Sequence, residues 1–158
     1  MLLLFRPFRA GDYVEAGEHA GTIKEFNLFF TVMATPDNIQ ITVPNGQVWG
    51  SAVSNYSTNP TRRVDISVGI AYDADIDKVM AVVHETISAD TRIKSDPGPF
   101  VGVTAMADSS VNFTIRVWVD NADLWPVKFD LTKAIKQAFD ANGVDIPFPT
   151  RTVHTVTN

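Results

Sequence analysis

The stretch RRVDISVGIAYDADIDKV, residues 62–79, decides how the chain is read. In its first half Val64, Ile66, Val68 and Ile70 alternate with Asp65, Ser67 and Gly69, the period of two that lays one face of a strand on a core. The period then changes. From Ile76 the apolar side chains recur at three and four residues, through Val79, Met80, Val83 and Ile87, which makes one face of a helix. Asp73 or Asp75 stands ahead of that run and can accept the orphan amide hydrogens of its first turn. A strand that hands over to a helix in this way begins a layered α/β unit.

Toward the C-terminus the pattern predicts strands over 100–106 and 111–119, joined by an Asp108-Ser109-Ser110 turn. A second helix is expected from about Asp123, with Pro126 in its first turn and a stripe of Val127, Leu131, Ala134, Ile135 and Ala138. Gly143 stands where a left-handed cap belongs, and 145–148 reads as a last short strand. The order β-α-β-β-α-β is that of a split βαβ, or ferredoxin-like, layer. Beyond Pro149 the tail TRTVHTVTN is rich in β-branched residues and has no core of its own. Such a strand must pair with its own sheet or with another copy of the chain, which points to an oligomer.

Toward the N-terminus the grammar is all-β. Short apolar segments over 13–16, 20–26, 28–35, 39–44 and 52–56 are broken by Gly, Pro and Asn, with turns expected at 17–21, at Thr35-Pro36-Asp37-Asn38 and at Asn45-Gly46. The start, MLLLFRPF, has no basic residue ahead of its apolar run and no small-residue cleavage site. It does not read as a signal peptide, and the mature chain is expected to be the whole chain.

With 158 residues, 45% hydrophobic and 20% charged, the chain has the composition of a folded protein. Residues 1–60 hold three basic and five acidic groups and residues 61–158 hold ten and thirteen, so neither part offers the basic excess that phosphate neutralisation needs. Nucleic acid is not an expected partner. The absence of cysteine excludes disulfides, a thiolate nucleophile and Cys-ligated zinc.

Little in the sequence supports catalysis. His19, His84 and His154 lack the spacing that puts two imidazoles on one helix face for a metal, and no phosphate-binding or nucleophile-elbow motif is present. Asp73, Asp75 and Asp77 match the opening of a calcium loop, but position six is Lys78 and position twelve is His84, so helix capping is the favoured reading. Trp49, Trp118 and Trp125 are read as core or interface aromatics; Trp118 points away from the core of its strand and is assigned to an interface. No catalytic, cofactor or metal residue is assigned.

The segments RPFRAGDYVEAGEHAGTIKEF, VPNGQV, NYS and RRVDISVGIAYDADIDKV, in that order, resemble the cytoplasmic region of the small-conductance mechanosensitive channel (MscS) family. The specific pieces are P-F-x-x-G-D-x-V at residues 7–14, P-N-G at 44–46 and GIAYDADID at 69–77; NGVDIPFP at 142–149 fits the same family. The resemblance implies an α+β chain: residues 1–10 as the end of a pore helix and linker, 11–60 as a small Sm-like β-barrel, 61–149 as a ferredoxin-like α/β domain, and 150–158 as a C-terminal strand for an intersubunit barrel. It implies a homoheptamer on the cytoplasmic face of the bacterial inner membrane, enclosing a vestibule whose side portals pass ions and small solutes. The membrane spans themselves are missing from the chain.

By the same resemblance, Asn45 and Gly46 lie in a loop that couples vestibule to pore, and Arg6 and Arg9 sit on the membrane-facing rim. Asp65 is a portal candidate, and Thr152, Val153, His154, Thr155 and Val156 form the oligomerisation strand. The family's T-x-R-T-x-D hairpin is Met33-Ala34-Thr35-Pro36-Asp37 here, so an ionic contact made by that Arg is absent. The competing readings are a nucleic-acid-binding module on the same two folds, disfavoured by charge, and a small acylphosphatase-like enzyme, disfavoured because no Arg-bearing anion loop is visible.

Overall fold

A computed structural model describes residues 7–155, in two compact units that meet in the sequence at Pro60 and Thr61. The first unit has strands β1 (Tyr13–Ala16), β2 (His19–Phe26), β3 (Phe30–Ala34) and β4 (Gln40–Pro44), a one-turn helix α1 (Asn45–Trp49) and β5 (Val53–Asn55). All pairings are antiparallel, and the sheet runs β4-β3-β2-β1-β5. The turn at 35–38 forms as expected: the Asn38 amide donates to the Thr35 carbonyl at 2.9 Å, and Asn38 takes a φ of 68°, which asparagine tolerates. Gly21 is required by close approach, since a Cβ there would stand 2.7 Å from the Ala34 carbonyl oxygen. Phe8, Val14, Ala16, Ile23, Met33, Val43 and Val48 make the core, with the Phe8 ring edge-on to Phe26.

Asn45-Gly46 is not the expected turn. It opens α1, because Val48, 1% exposed, must reach that core one helical turn later, and an αR segment is the short way to bring it there.

In the second unit β6 (Thr61–Ile70) is followed by helix α2 (Ile76–Ser88), β7 (Phe100–Met106), β8 (Val111–Asp120), a 3-10 turn (Asn121–Asp123) and helix α3 (Leu124–Asn142). The sheet is antiparallel with β8 central, in the order β6-β8-β7. The register aligns Ile66 and Val101 with Ile115 from either side, so the inward faces of all three strands form one cluster with both helices. Asp75 caps α2, accepting the amides of Asp77 and Lys78 at 3.0 and 3.1 Å. The buried stripe is Val79, Val82, Val83 and Ile87, with Met80 half-buried against the same core as expected; Val82 joins it, and Ile76 is 42% exposed.

Gly143 adopts the left-handed conformation, φ 67°, and lets the Val144 amide return to the Phe139 carbonyl at 2.9 Å. The strand expected at 145–148 does not form. One backbone bond, from the Ala71 amide to the Asp145 carbonyl at 3.0 Å, starts a pairing that Pro147 and Pro149, lacking N–H groups, cannot continue. The α+β class stands, with a three-stranded sheet where a complete split βαβ has four strands.

A carboxylate–guanidinium–carboxylate group ties the end of α2 to α3. Arg92 holds Asp90 through Nε and Nη2 at 2.9 and 2.7 Å and reaches Asp130 at 3.0 Å. The hydrogen bond from Arg92 keeps the Asp90 carboxyl below its ordinary value of 3.8. A depressed carboxylate contributes stability above the unfolded-state pKa and loses it as pH falls through the folded-state pKa. Asp90→Asn is therefore expected to lower the urea midpoint at pH 7 and to make a progressively smaller difference as the pH falls below the ordinary carboxylate range toward the depressed folded-state pKa of Asp90. An equal loss throughout that range would show that the ion pair contributes nothing.

Candidate functional site

The residues that invite a catalytic reading are dispersed. His19 begins β2, His84 is on the exposed face of α2, and His154 is in the exposed tail. Among the described residues no group of three or more His, Asp or Glu is arranged to hold a metal ion, and Asp75 is occupied as a helix cap.

Asn45 lies at the centre of a tight polar network. Thr31 is the one buried polar residue among those described, at 0% exposure, and its hydroxyl donates to Asn45 Oδ1 at 2.9 Å. Asn45 Nδ2 donates to the Asn27 carbonyl at 2.6 Å, and the Asn45 amide to the Phe29 carbonyl at 2.9 Å. Asn27 Oδ1 in turn accepts the amides of Phe29 and Phe30. Asn45 thus fastens the turn at 27–30, whose tip holds Leu28 and Phe29 out at 73% and 77% exposure. The neighbouring Gly46 has no such internal reason, because an added Cβ would meet nothing within 4 Å and its φ is not positive.

Arg9 is exposed, with its backbone amide on Asp12 Oδ2 at 2.9 Å. Asp12 also receives Asn55 Nδ2 at 2.8 Å. Arg6 and residues 1–5 lie outside the described residues, as does Val156. Asp12 and Asn55 stand in the P-F-x-x-G-D-x-V and NYS segments but received no role from them; their hydrogen bonds single them out, and exposure singles out Leu28 and Phe29.

Asp65 stands on the face of the second sheet opposite the helices. Arg63, two residues earlier on β6, grips it in a bidentate pair at 2.6 and 2.8 Å, and Arg116 on β8 approaches to 3.9 Å. The bond to Asp65 raises the Arg63 pKa further above its ordinary value. Arg116 also lies over the Phe100 ring at 5.6 Å, and Trp118, half-buried, is opposite Arg63 in register. Around Asp65 two guanidinium groups face one carboxylate, a local excess of positive charge, while Asp120 farther along the same face of β8 is paired with Lys94 at 2.8 Å. The tail residues Thr152, Val153, His154 and Thr155 are exposed and belong to no strand, and Val153 is 79% exposed.

Known proteins resemble both units. Residues 1–58 match the family described as "Mechanosensitive ion channel, beta-domain", and residues 64–146 match "Mechanosensitive ion channel MscS, C-terminal". A small-conductance mechanosensitive channel of Edwardsiella ictaluri is 50% identical over 154 residues, which cover 98% of this chain and 54% of that protein. One of Helicobacter pylori is 33% identical over 94% of this chain and 54% of the relative. The crystal structure of Helicobacter pylori MscS in its closed state superposes with a TM-score of 0.93 at 31% identity, over 99% of this chain and 62% of that one. The chain spans about half the length of these curated relatives. Among the described residues no helix is long and apolar enough to cross a membrane.

Asn45→Ala is expected to destabilise the first unit by about 1–3 kcal/mol, because it strands the buried Thr31 hydroxyl. Adding Thr31→Val removes the stranded group, so the double variant is expected to lose less than the two single losses summed, as read from chemical denaturation. Additive losses would mean the two side chains do not act together.

Proposed function

Since the chain belongs to the mechanosensitive ion channel MscS family, a family of channels and not of enzymes, we propose that it forms the cytoplasmic vestibule of a channel that membrane tension opens during hypo-osmotic shock. The observation that carries the reading is the agreement of both units, in order, with a solved channel over 99% of the chain. In this reading seven copies enclose a hollow space below a pore made by spans outside this chain, at the cytoplasmic face of the bacterial inner membrane. Residues 1–10 continue from the pore helix, with Arg6 and Arg9 on the rim, and residues 150–158 join the subunits.

The geometry supports distinct parts for the candidate residues. Asn45 holds the exposed Leu28–Phe29 tip in place, and Gly46 beside it leaves open space for a neighbouring element to approach. Both suit a loop that couples vestibule to pore. Asp65 with Arg63 and Arg116 suits a portal lining. Two cations against one carboxylate favour anions in transit, within the roughly 8 Å over which charge acts at physiological salt. Residues 152–155, exposed and in no strand, suit strand addition between subunits.

In membrane patches holding the full-length protein, suction is expected to open a conductance, and its absence would remove the proposal. Asp65→Asn is expected to move the reversal potential further toward anions and Arg63→Gln toward cations; no movement in either would take Asp65 out of the portal. Gly46→Ala is expected to leave the thermal stability of this chain nearly unchanged, because an added Cβ meets nothing within 4 Å among the described residues, and to alter gating in the full-length protein. Removing residues 152–158 is expected to lower the oligomer mass seen by native mass spectrometry.

A further inference from the structure

The segment that leads into the first unit and the segment that leads out of it share one side chain. Asn55, the last residue of β5, donates from Nδ2 to Asp12 Oδ2 at 2.8 Å and to the Pro7 carbonyl at 3.3 Å. On the other side of the same amide, Oδ1 accepts the amides of Ser57 at 2.9 Å and Thr58 at 3.1 Å. Asp12 Oδ2 completes the group by accepting the Arg9 amide, and Ser57 Oγ accepts the Tyr13 amide at 2.9 Å. A carboxamide can do this because it carries donors and acceptors on one short stem; a carboxylate or an aliphatic group cannot.

The ladder between β1 and β5 ends before these segments begin. It pairs Val14 with Asn55, and one further backbone bond joins the Tyr56 amide to the Tyr13 carbonyl. Residues 7–9 and 57–58 lie beyond it. The incoming segment is otherwise a stiff piece: the Gly11 amide meets the Ile23 carbonyl at 2.8 Å with Gly11 at φ 95°, and the buried Phe8 ring is held against Phe26. What fastens this stiff piece to the outgoing segment is the amide of Asn55.

We infer that Asn55, braced by Asp12, is a positioning residue that couples residues 7–9 to residues 57–58, so that force arriving ahead of Pro7 reaches the chain leading to the second unit without passing through the sheet. The inference rests on the channel reading for the source of that force. The bonds themselves do not depend on it, and the two separate under test.

Two variants dissect the group. Asn55→Ala removes the four bonds made by the amide itself and leaves Arg9 on Asp12 and Tyr13 on Ser57, whereas Asn55→Asp keeps acceptors for Ser57 and Thr58 but loses the donors to Asp12 and Pro7. By amide hydrogen exchange on this chain, Asn55→Ala is expected to speed exchange at Arg9, Ser57 and Thr58 by about 3–10-fold while Ile23 stays protected. Asn55→Asp is expected to loosen Arg9 and spare Ser57 and Thr58. In patches of the full-length protein, both variants are expected to shift the tension of half-opening by a similar amount, beyond the spread among wild-type patches, since either one breaks the connection. Wild-type gating in variants whose amides have loosened overturns the inference, as does a shift confined to Asn55→Ala. A wild-type protein silent under tension removes the channel reading instead, and the coupling is then decided by whether both segments loosen together in Asn55→Ala.

Discussion

Strand β8 buries Val111, Phe113, Ile115, Val117 and Val119 on one face, none more than 6% exposed, and the second unit is arranged around that fact. A central strand with five buried aliphatic and aromatic side chains on one side forces its neighbours into the same orientation, because side-chain direction alternates strictly along each strand. Val64, Ile66 and Ile70 on β6 and Val101 on β7 follow, and α2 and α3 have only that face to cover. The opposite face is left to polar and charged groups together with Trp118 and the half-exposed Phe100 ring. Asp65, Arg63 and Arg116 can therefore gather in the open, where an ion pair costs little desolvation.

The first unit meets a different constraint. Thr31 carries a hydroxyl into a place with no water, so the fold must supply an acceptor, and Asn45 supplies it. The same amide then holds the 27–30 turn, so a local requirement of the core fixes the position of two exposed apolar side chains, Leu28 and Phe29. Interior satisfaction and surface presentation are served by one residue. The pairing explains why the P-N-G stretch matters structurally while its glycine answers to no internal contact.

Alternation in 62–79 and 111–119 was enough to place β6, β8 and the start of α2, because burial on one face imposes a period that polar neighbours cannot disguise. Caps were legible for the same reason, being local: Asp75 and Gly143 act on amides and carbonyls within a few residues. Non-local chemistry was not. Nothing in the sequence links Asp12 to Asn55, 43 residues away, or Arg92 to Asp130, 38 away, since hydrogen-bonding side chains leave no periodic trace. The 145–148 segment reads as a strand by composition, yet its prolines decide against it once a ladder is required. Helix α1 was hidden because five residues give too little periodicity to recognise.

The anchoring of the chain after α3 has a consequence for symmetry. Gly143 sets the reversal, Val144 is buried, the Asp145 carbonyl is held by Ala71, and Lys78 Nζ grips the Asn142 carbonyl at 2.7 Å. The departure point of the tail is thus held from both helices and from the end of β6. Copies that close into a ring must present their joining segments at one common angle to the rotation axis, because any spread in that angle accumulates around the circle. In the proposed ring, a take-off fixed within each copy would supply that sameness before any two copies meet.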